Sequence, residues 1–178
     1  MPDGRAAEKG FRLFGSATGI RHMREALGYQ DVLAANILED PCEALLEQRW
    51  DYLLVPEVLE HIGNPVQFLD RLRRRFAHCV DELVVTVPNA FGLRTQAWAR
   101  RGVERINSDH RLWFTPYTLA KVAVDAGLAP RRFVLCEDQV RPDSPRKPRR
   151  WLRNARLRRQ PLLRGRIVMM APLHGGVA

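Results

Sequence analysis

Apolar residues fall along the chain in short runs that alternate with stretches of helical spacing. The run at 11–15 (FRLFG) reads as a strand, and 18–28 (TGIRHMREALG) as a helix with Ile20, Met23 and Leu27 at helical spacing and Gly28 as its stop. A further strand is predicted at 31–37 (DVLAANI), then a short helix over 41–48 with Pro41 in its first turn. The run at 50–55 (WDYLLV) is near-continuously apolar, which predicts a strand buried on both faces of a parallel sheet. Residues 64–79 form an amphipathic pattern with Val66, Leu69, Leu72 and Phe76 on one face and Arg71, Arg73, Arg74 and Arg75 mainly on the other. A buried strand follows at 81–90, ended by Pro88-Asn89, then a helical stretch at 90–102 and a polar loop at 103–114. Thr115 is the expected N-cap of a helix over 115–128, with Pro116 at its first position and Gly127 near its end. Strands at 131–138 and 165–172 complete the set.

Strands alternating with crossover helices imply an open, mostly parallel α/β sheet. In such sheets ligands sit beyond the carboxyl ends of the strands. Two polar turns leave the predicted sheet at that edge, PEVLEH after Val55 and PNA after Val87.

The length of 178 residues suits a single domain over 1–178. No run approaches the roughly 20 apolar residues of a membrane span, and the polar N-terminus does not read as a signal peptide. Cys42, Cys79 and Cys136 include no CxxC pair, which favours reduced thiols in a cytoplasmic protein over disulfides or a zinc site. The net charge of +9 is concentrated in 141–166, an Arg-rich insertion before the last strand with eleven Lys or Arg against Asp143 alone. No nucleic-acid motif accompanies the charge, so the segment reads as a solvated insertion rather than a nucleic-acid site.

The ordered pieces WDYLLVPEVLEHIGNPVQFLDRLRR, ELVVTVPNAFGL and NSDHRLWFTPYTLAKVAVDAGL resemble the class I S-adenosylmethionine (SAM)-dependent methyltransferases. The likeness rests on Asp51, Glu60-His61, the Asn-Pro helix start, Pro88-Asn89, Asp109-His110 and Ala126-Gly127, and covers about 50–130. It implies a Rossmann-like sheet with helices on both faces, an antiparallel last strand and SAM as cofactor. The family's glycine-rich turn fits poorly at LFGSATG (13–19), where Ala17 and Leu13 replace a glycine and an acid and only 36 residues separate Gly15 from Asp51. The better register makes FRLFG the second strand of the family, so that the first strand and its glycine loop are missing or lie upstream of Met1. The acid expected to hold the cofactor ribose then falls near Ser16 or Ala17, and Asn36 takes the place of the acid near the adenine. Cofactor contacts are accordingly expected at Asn36, Ile37, Pro56 and Glu57.

Members of this family that methylate ubiquinone precursors or the 2′-hydroxyl of small RNAs carry Glu-x-x-Glu-His at this turn. The match here is Glu57, Glu60 and His61, whose i, i+3, i+4 spacing would place them on one face of a helical turn. With His110 they form the expected ligands of Mg²⁺ or another divalent metal. Without metal, His61 or His110 would serve as general base, with Asp109 and Asn107 facing substrate. The alternative is a hydrogen-bond network that only closes the turn. Trp98, Trp113 and Phe114 read either as pocket walls or as core. The expected activity is methyl transfer, to oxygen in preference to nitrogen, on a small metabolite, lipid or glycan. The competing reading is an inactive methyltransferase-like module that acts as a partner or regulatory subunit. A missing central strand would also leave a sheet edge to be covered by a second copy or a protein partner.

Overall fold

The computed structural model describes residues 35–137 and 148–174. The strand expected at 11–15, the helix at 18–28, residues 31–34 of the next strand and 141–147 of the basic insertion lie outside the described residues, as do Leu13, Gly15, Ser16, Ala17 and Gly19. The chain divides between Glu43 and Ala44 into two compact units. In the first, residues 35–40 form a bend and a turn where the end of a strand was expected.

The described elements are α1 (Glu43–Leu46), β1 (Trp50–Pro56), α2 (Pro65–Phe76), β2 (Val80–Pro88), α3 (Leu93–Ala99), α4 (Pro116–Asp125), β3 (Arg132–Cys136), α5 (Pro148–Arg159) and β4 (Arg166–Pro172). The sheet order is β1-β2-β4-β3. β1 and β2 are parallel, and β4 runs antiparallel to both β2 and β3. Three strands therefore share one direction and the last in sequence opposes them, the Rossmann-like arrangement with a reversed final strand.

The core follows from alternation along β2. Leu83, Val85 and Val87 point to one face and pair in register with Ala171, Met169 and Ile167 of β4, and all six are fully buried. On α2, Leu69, Leu72 and Phe76 are buried at helical spacing, while Val66 is only half-buried. Asn64 caps this helix by accepting from the Gln67 N–H at 3.1 Å, with Pro65 in the first turn. Thr115 caps α4 through a reciprocal pair of bonds with Thr118.

The expected two-sided burial of β1 does not hold. Tyr52 is 56% and Leu54 64% exposed, with Trp50 on the same side, while Val55 is buried and Leu53 half-buried on the other. β1 stands at the end of the described sheet, and only one of its faces enters the core. Among the described residues no helix is long and apolar enough to cross a membrane.

Arg73 ties α2 to the end of α4, and Asp70 holds it from within α2. Arg73 donates from Nε to the Ala126 carbonyl at 3.2 Å, and Asp70 accepts from both Arg73 and Arg74 at 2.9 Å. The bonds from Arg74 and then Arg73 hold the Asp70 carboxyl below its ordinary pKa. A group depressed in the folded state contributes stability above its unfolded pKa and loses it as the pH falls through the folded value. Asp70→Asn should thus lower the melting temperature slightly at neutral pH, and the difference should vanish as the pH drops well below about 4; thermal melts across that range check it. Gly127 ends α4 at φ +75°, and a Cβ there would stand 3.3 Å from the Arg73 guanidinium. Gly127→Ala is expected to cost about 1–2 kcal/mol in denaturant unfolding, because an L-residue is strained in the left-handed region.

Candidate active site

The chain leaves β1 through a turn that a regular helix could not make. Glu57 adopts φ +53°, a left-handed conformation rare outside glycine. Its N–H bonds the Thr86 carbonyl at 2.9 Å, its Oε1 accepts from the Thr86 hydroxyl at 3.1 Å, and its Oε2 pairs with Arg166 at the start of β4. A single 3-10 turn, Leu59–His61, follows. Helical spacing over 57–61 would have placed Glu57 beside Glu60 and His61. The left-handed residue breaks that register and turns Glu57 toward β2 and β4.

Glu60 is 1% exposed, and neither of its carboxylate oxygens has a hydrogen-bond partner among the described residues. Its backbone carbonyl accepts from the Arg111 and Leu112 N–H groups at 2.7 and 3.2 Å, which stitches the loop before α4 onto the turn. That loop brings His110 to the carboxylate, with Nε2 3.9 Å from Oε1. His61 meets His110 edge to face, ring centroids 4.8 Å apart. Glu60, His61 and His110 each offer a ligand atom, and these atoms lie within 4.8 Å of one another. Glu57 is not part of that group.

Nδ1 of His61 lies 3.0 Å from the Asp109 carbonyl oxygen. Only an N–H can bond a carbonyl, so the lone pair of the neutral ring is on Nε2. Asp109 thus enters the site through its backbone, while its carboxylate accepts from the Ser108 hydroxyl at 3.2 Å. Asn107 Nδ2 stands 3.5 Å from His110 Nε2. Burial first, and the neighbouring His61 second, lower the pKa of His110, with Glu57 and Asp109 opposing. The ring is accordingly held neutral, able to accept a proton or a metal.

These groups open into a cleft of about 830 Å³ at the C-terminal ends of β1 and β2. Trp113 lines it, whereas Phe114 is core at 3% exposure and bridges to Asn89. Asn89 is 1% exposed and fully bonded: Nδ2 donates to the Leu162 and Arg164 carbonyls at 2.8 Å each, and Oδ1 accepts from the Phe91 N–H at 3.0 Å. Glu137 carries Arg153 of α5 and accepts from the Gly165 N–H at 3.0 Å. Sequence reasoning assigned no role to Arg166, Glu137 or Arg153, whose partners are distant in the chain. In the first unit, Asn36 organises its own turn. Its N–H bonds Asp40 at 2.7 Å and its side-chain oxygen accepts from the Leu38 N–H at 3.1 Å. Ile37 lies in the same turn.

No family model matches the sequence, and no curated protein matches it. Solved structures do. A chain in the complex of the Haloferax volcanii Trm112 methyltransferase activator with a candidate methyltransferase superposes with a TM-score of 0.56 at 12% identity, covering 95% of this chain and 78% of that one. The small RNA methyltransferase HEN1 gives 0.51 at 16% identity over 81% of this chain, which spans only 16% of that protein. An S-adenosylmethionine-dependent methyltransferase from Clostridium acetobutylicum ATCC 824 gives 0.50 at 9% identity, covering 89% and 71%. At such identities the likeness is one of fold, and that fold is the class I methyltransferase fold expected from the sequence.

Proposed function

We propose that the chain is a SAM-dependent methyltransferase that acts on a hydroxyl oxygen, with a divalent cation held by Glu60, His61 and His110. The observation that carries this reading is the Glu60 carboxylate, buried and without a hydrogen-bond partner among the described residues, facing two imidazoles at the ligand edge of a methyltransferase fold. A carboxylate in that setting costs several kcal/mol unless a cation or donor meets it. One carboxylate and two imidazoles suit Mg²⁺, Mn²⁺ or a borderline transition metal. Such a cation would supply the charge that lowers the pKa of a substrate hydroxyl.

A volume of about 830 Å³ has room for a nucleoside cofactor beside a small acceptor. SAM would supply the electrophilic methyl group. Pro56 and Glu57, at the end of β1, are the residues of the second unit assigned to hold it. The chain's own contribution is mainly alignment, since methyl transfer needs the acceptor held in line more than it needs a strong base. The Asp109 carbonyl fixes the tautomer of His61. Nε2 of His110, kept neutral by burial, accepts the hydroxyl proton in the absence of metal. A protein partner is supported by the neighbour of the same fold that was solved with an activator.

Label transfer from methyl-tritiated SAM to a panel of hydroxyl-bearing metabolites, lipids and glycans tests the proposal. Base-stable label in an acceptor, dependent on Glu60, is expected. Transfer only to amines, or undiminished transfer by Glu60→Gln, would contradict it.

A further inference from the structure

The cleft has a second arm, and its chemistry differs from that of the Glu60 cluster. A lobe of about 460 Å³ is walled by Arg94, Thr95 and Trp98 of α3 and by Arg105, Asn107 and Ser108 of the following loop. It shares Arg94, Thr95, Arg105 and Asn107 with the main cleft, so the same side chains wall both spaces. No carboxylate lines this arm.

The arginines around the cleft fall into two groups. Arg153 is paired with Glu137 and Arg166 with Glu57, so their charge is met within the protein. Neither Arg94 nor Arg105 is paired with a carboxylate among the described residues. Arg105 instead lies over the Trp98 ring at 4.9 Å, and Arg101 also stacks on that ring, at 5.3 Å. Stacking holds a guanidinium by its face and leaves its N–H edge free, the geometry suited to two-point recognition of a phosphate. Thr95 and Asn107 add neutral donors, while the Ser108 proton is given to Asp109. Asn107 also reaches His110, with Nδ2 3.5 Å from Nε2, so one residue borders both the arm and the catalytic cluster.

From this arrangement we infer that the acceptor is a phosphate ester, whose phosphate is received by Arg94 and Arg105 while a neighbouring hydroxyl reaches Glu60, His61 and His110. The inference rests on the methyltransferase reading for the second half of that statement only. The phosphate site stands on the arm itself. A soluble sugar or nucleoside phosphate and a phospholipid headgroup present the same chemistry to these residues.

The test is calorimetric titration of inorganic phosphate into the full chain in EDTA, which removes metal-bound phosphate from the signal. Arg94→Ala and Arg105→Ala are each expected to weaken binding about tenfold, the usual loss for a charge-assisted bond. Arg105→Lys keeps the charge without the stacked fork and should recover binding only in part. Arg149→Ala and Arg159→Ala, exposed on α5, should change nothing. Adenosine 5′-monophosphate and vesicles containing phosphatidylglycerol are then compared. Preference for either one, lost in the Arg94 and Arg105 variants, supports the site and identifies the source. Equal phosphate binding by wild type and both alanine variants, with melting temperatures unchanged, would overturn it. SAM titrated into the same proteins separates the two claims: SAM binding without an arginine-dependent phosphate sinks the subsite alone, and arginine-dependent phosphate without SAM sinks the methyl-transfer reading alone.

Discussion

Glu60→Met is expected to raise the melting temperature of the metal-free protein and, in the same variant, to abolish divalent-metal binding. The two effects share one cause. In the metal-free chain the Glu60 carboxylate is removed from water, and neither oxygen is bonded among the described residues. Replacing such a group by an apolar residue of similar volume is typically neutral or stabilising by about 1–4 kcal/mol. Methionine is unbranched and fills the same space with a flexible chain. When Mn²⁺ is added, wild type should gain stability by mass action, and the variant should not. Melts with and without Mn²⁺, compared between the two proteins, give both readouts. A large loss of stability in Glu60→Met without metal would mean that the carboxylate is satisfied within the fold, and the cation site would fall with it.

The second large effect is expected at Asn89, which holds the rim of the cleft. Its side chain satisfies two carbonyls from the turn before β4 and one N–H from the turn after β2. Its backbone N–H bonds the Gly165 carbonyl at 2.8 Å, which extends the β2–β4 ladder one step beyond the Pro88–Arg166 pair. Asn89→Ala removes the partner of three part-buried polar groups and should cost about 3 kcal/mol, since each unsatisfied group carries a penalty of about 1–3 kcal/mol that water partly relieves. Asn89→Asp keeps the acceptor but sets an oxygen against the two carbonyls, and should be no better tolerated. Urea denaturation of both variants measures the effect. Unchanged midpoints would mean that the 161–165 turn is held by other contacts.

Elements with strong local signals were legible in the sequence. α2 begins at its Asn-Pro cap and buries Leu69, Leu72 and Phe76, and α4 begins at Thr115-Pro116, because caps and 3.6-residue spacing act within one turn. β2 was legible from its β-branched run. β1 was misread for a physical reason: WDYLLV has an apolar residue at nearly every position, and such a run does not say whether one face or both are covered. Exposure of Tyr52 and Leu54 is set by what lies beside the strand. α5 was read only as a basic insertion. Its arginines dominate the composition, yet arginine is a good helix former and Leu157 anchors the helix in the core.

At the site, Glu60-His61 and His110 could be nominated from local motifs, but their meeting depends on the fold. The role of Glu57 could not be read. Its partner Arg166 is 109 residues away, and its left-handed backbone carries no glycine or asparagine to announce it. The arm at Trp98 was likewise hidden, since the aromatic alone did not tell a stacking platform from core. Only the positions of Arg101 and Arg105 on its ring decide that.

The central claim is that this chain binds SAM and uses it, and the direct measurement is calorimetric titration of SAM into the purified protein with and without Mg²⁺. The account predicts saturable binding with a dissociation constant in the micromolar range, typical of enzyme substrates. It also predicts that Glu60→Met retains this binding, because the cation is assigned to the acceptor hydroxyl and not to the cofactor. Absence of binding at about millimolar SAM, in a protein that melts cooperatively, would contradict the account. The cluster at the end of β1 would then belong to a methyltransferase fold that has lost its reaction.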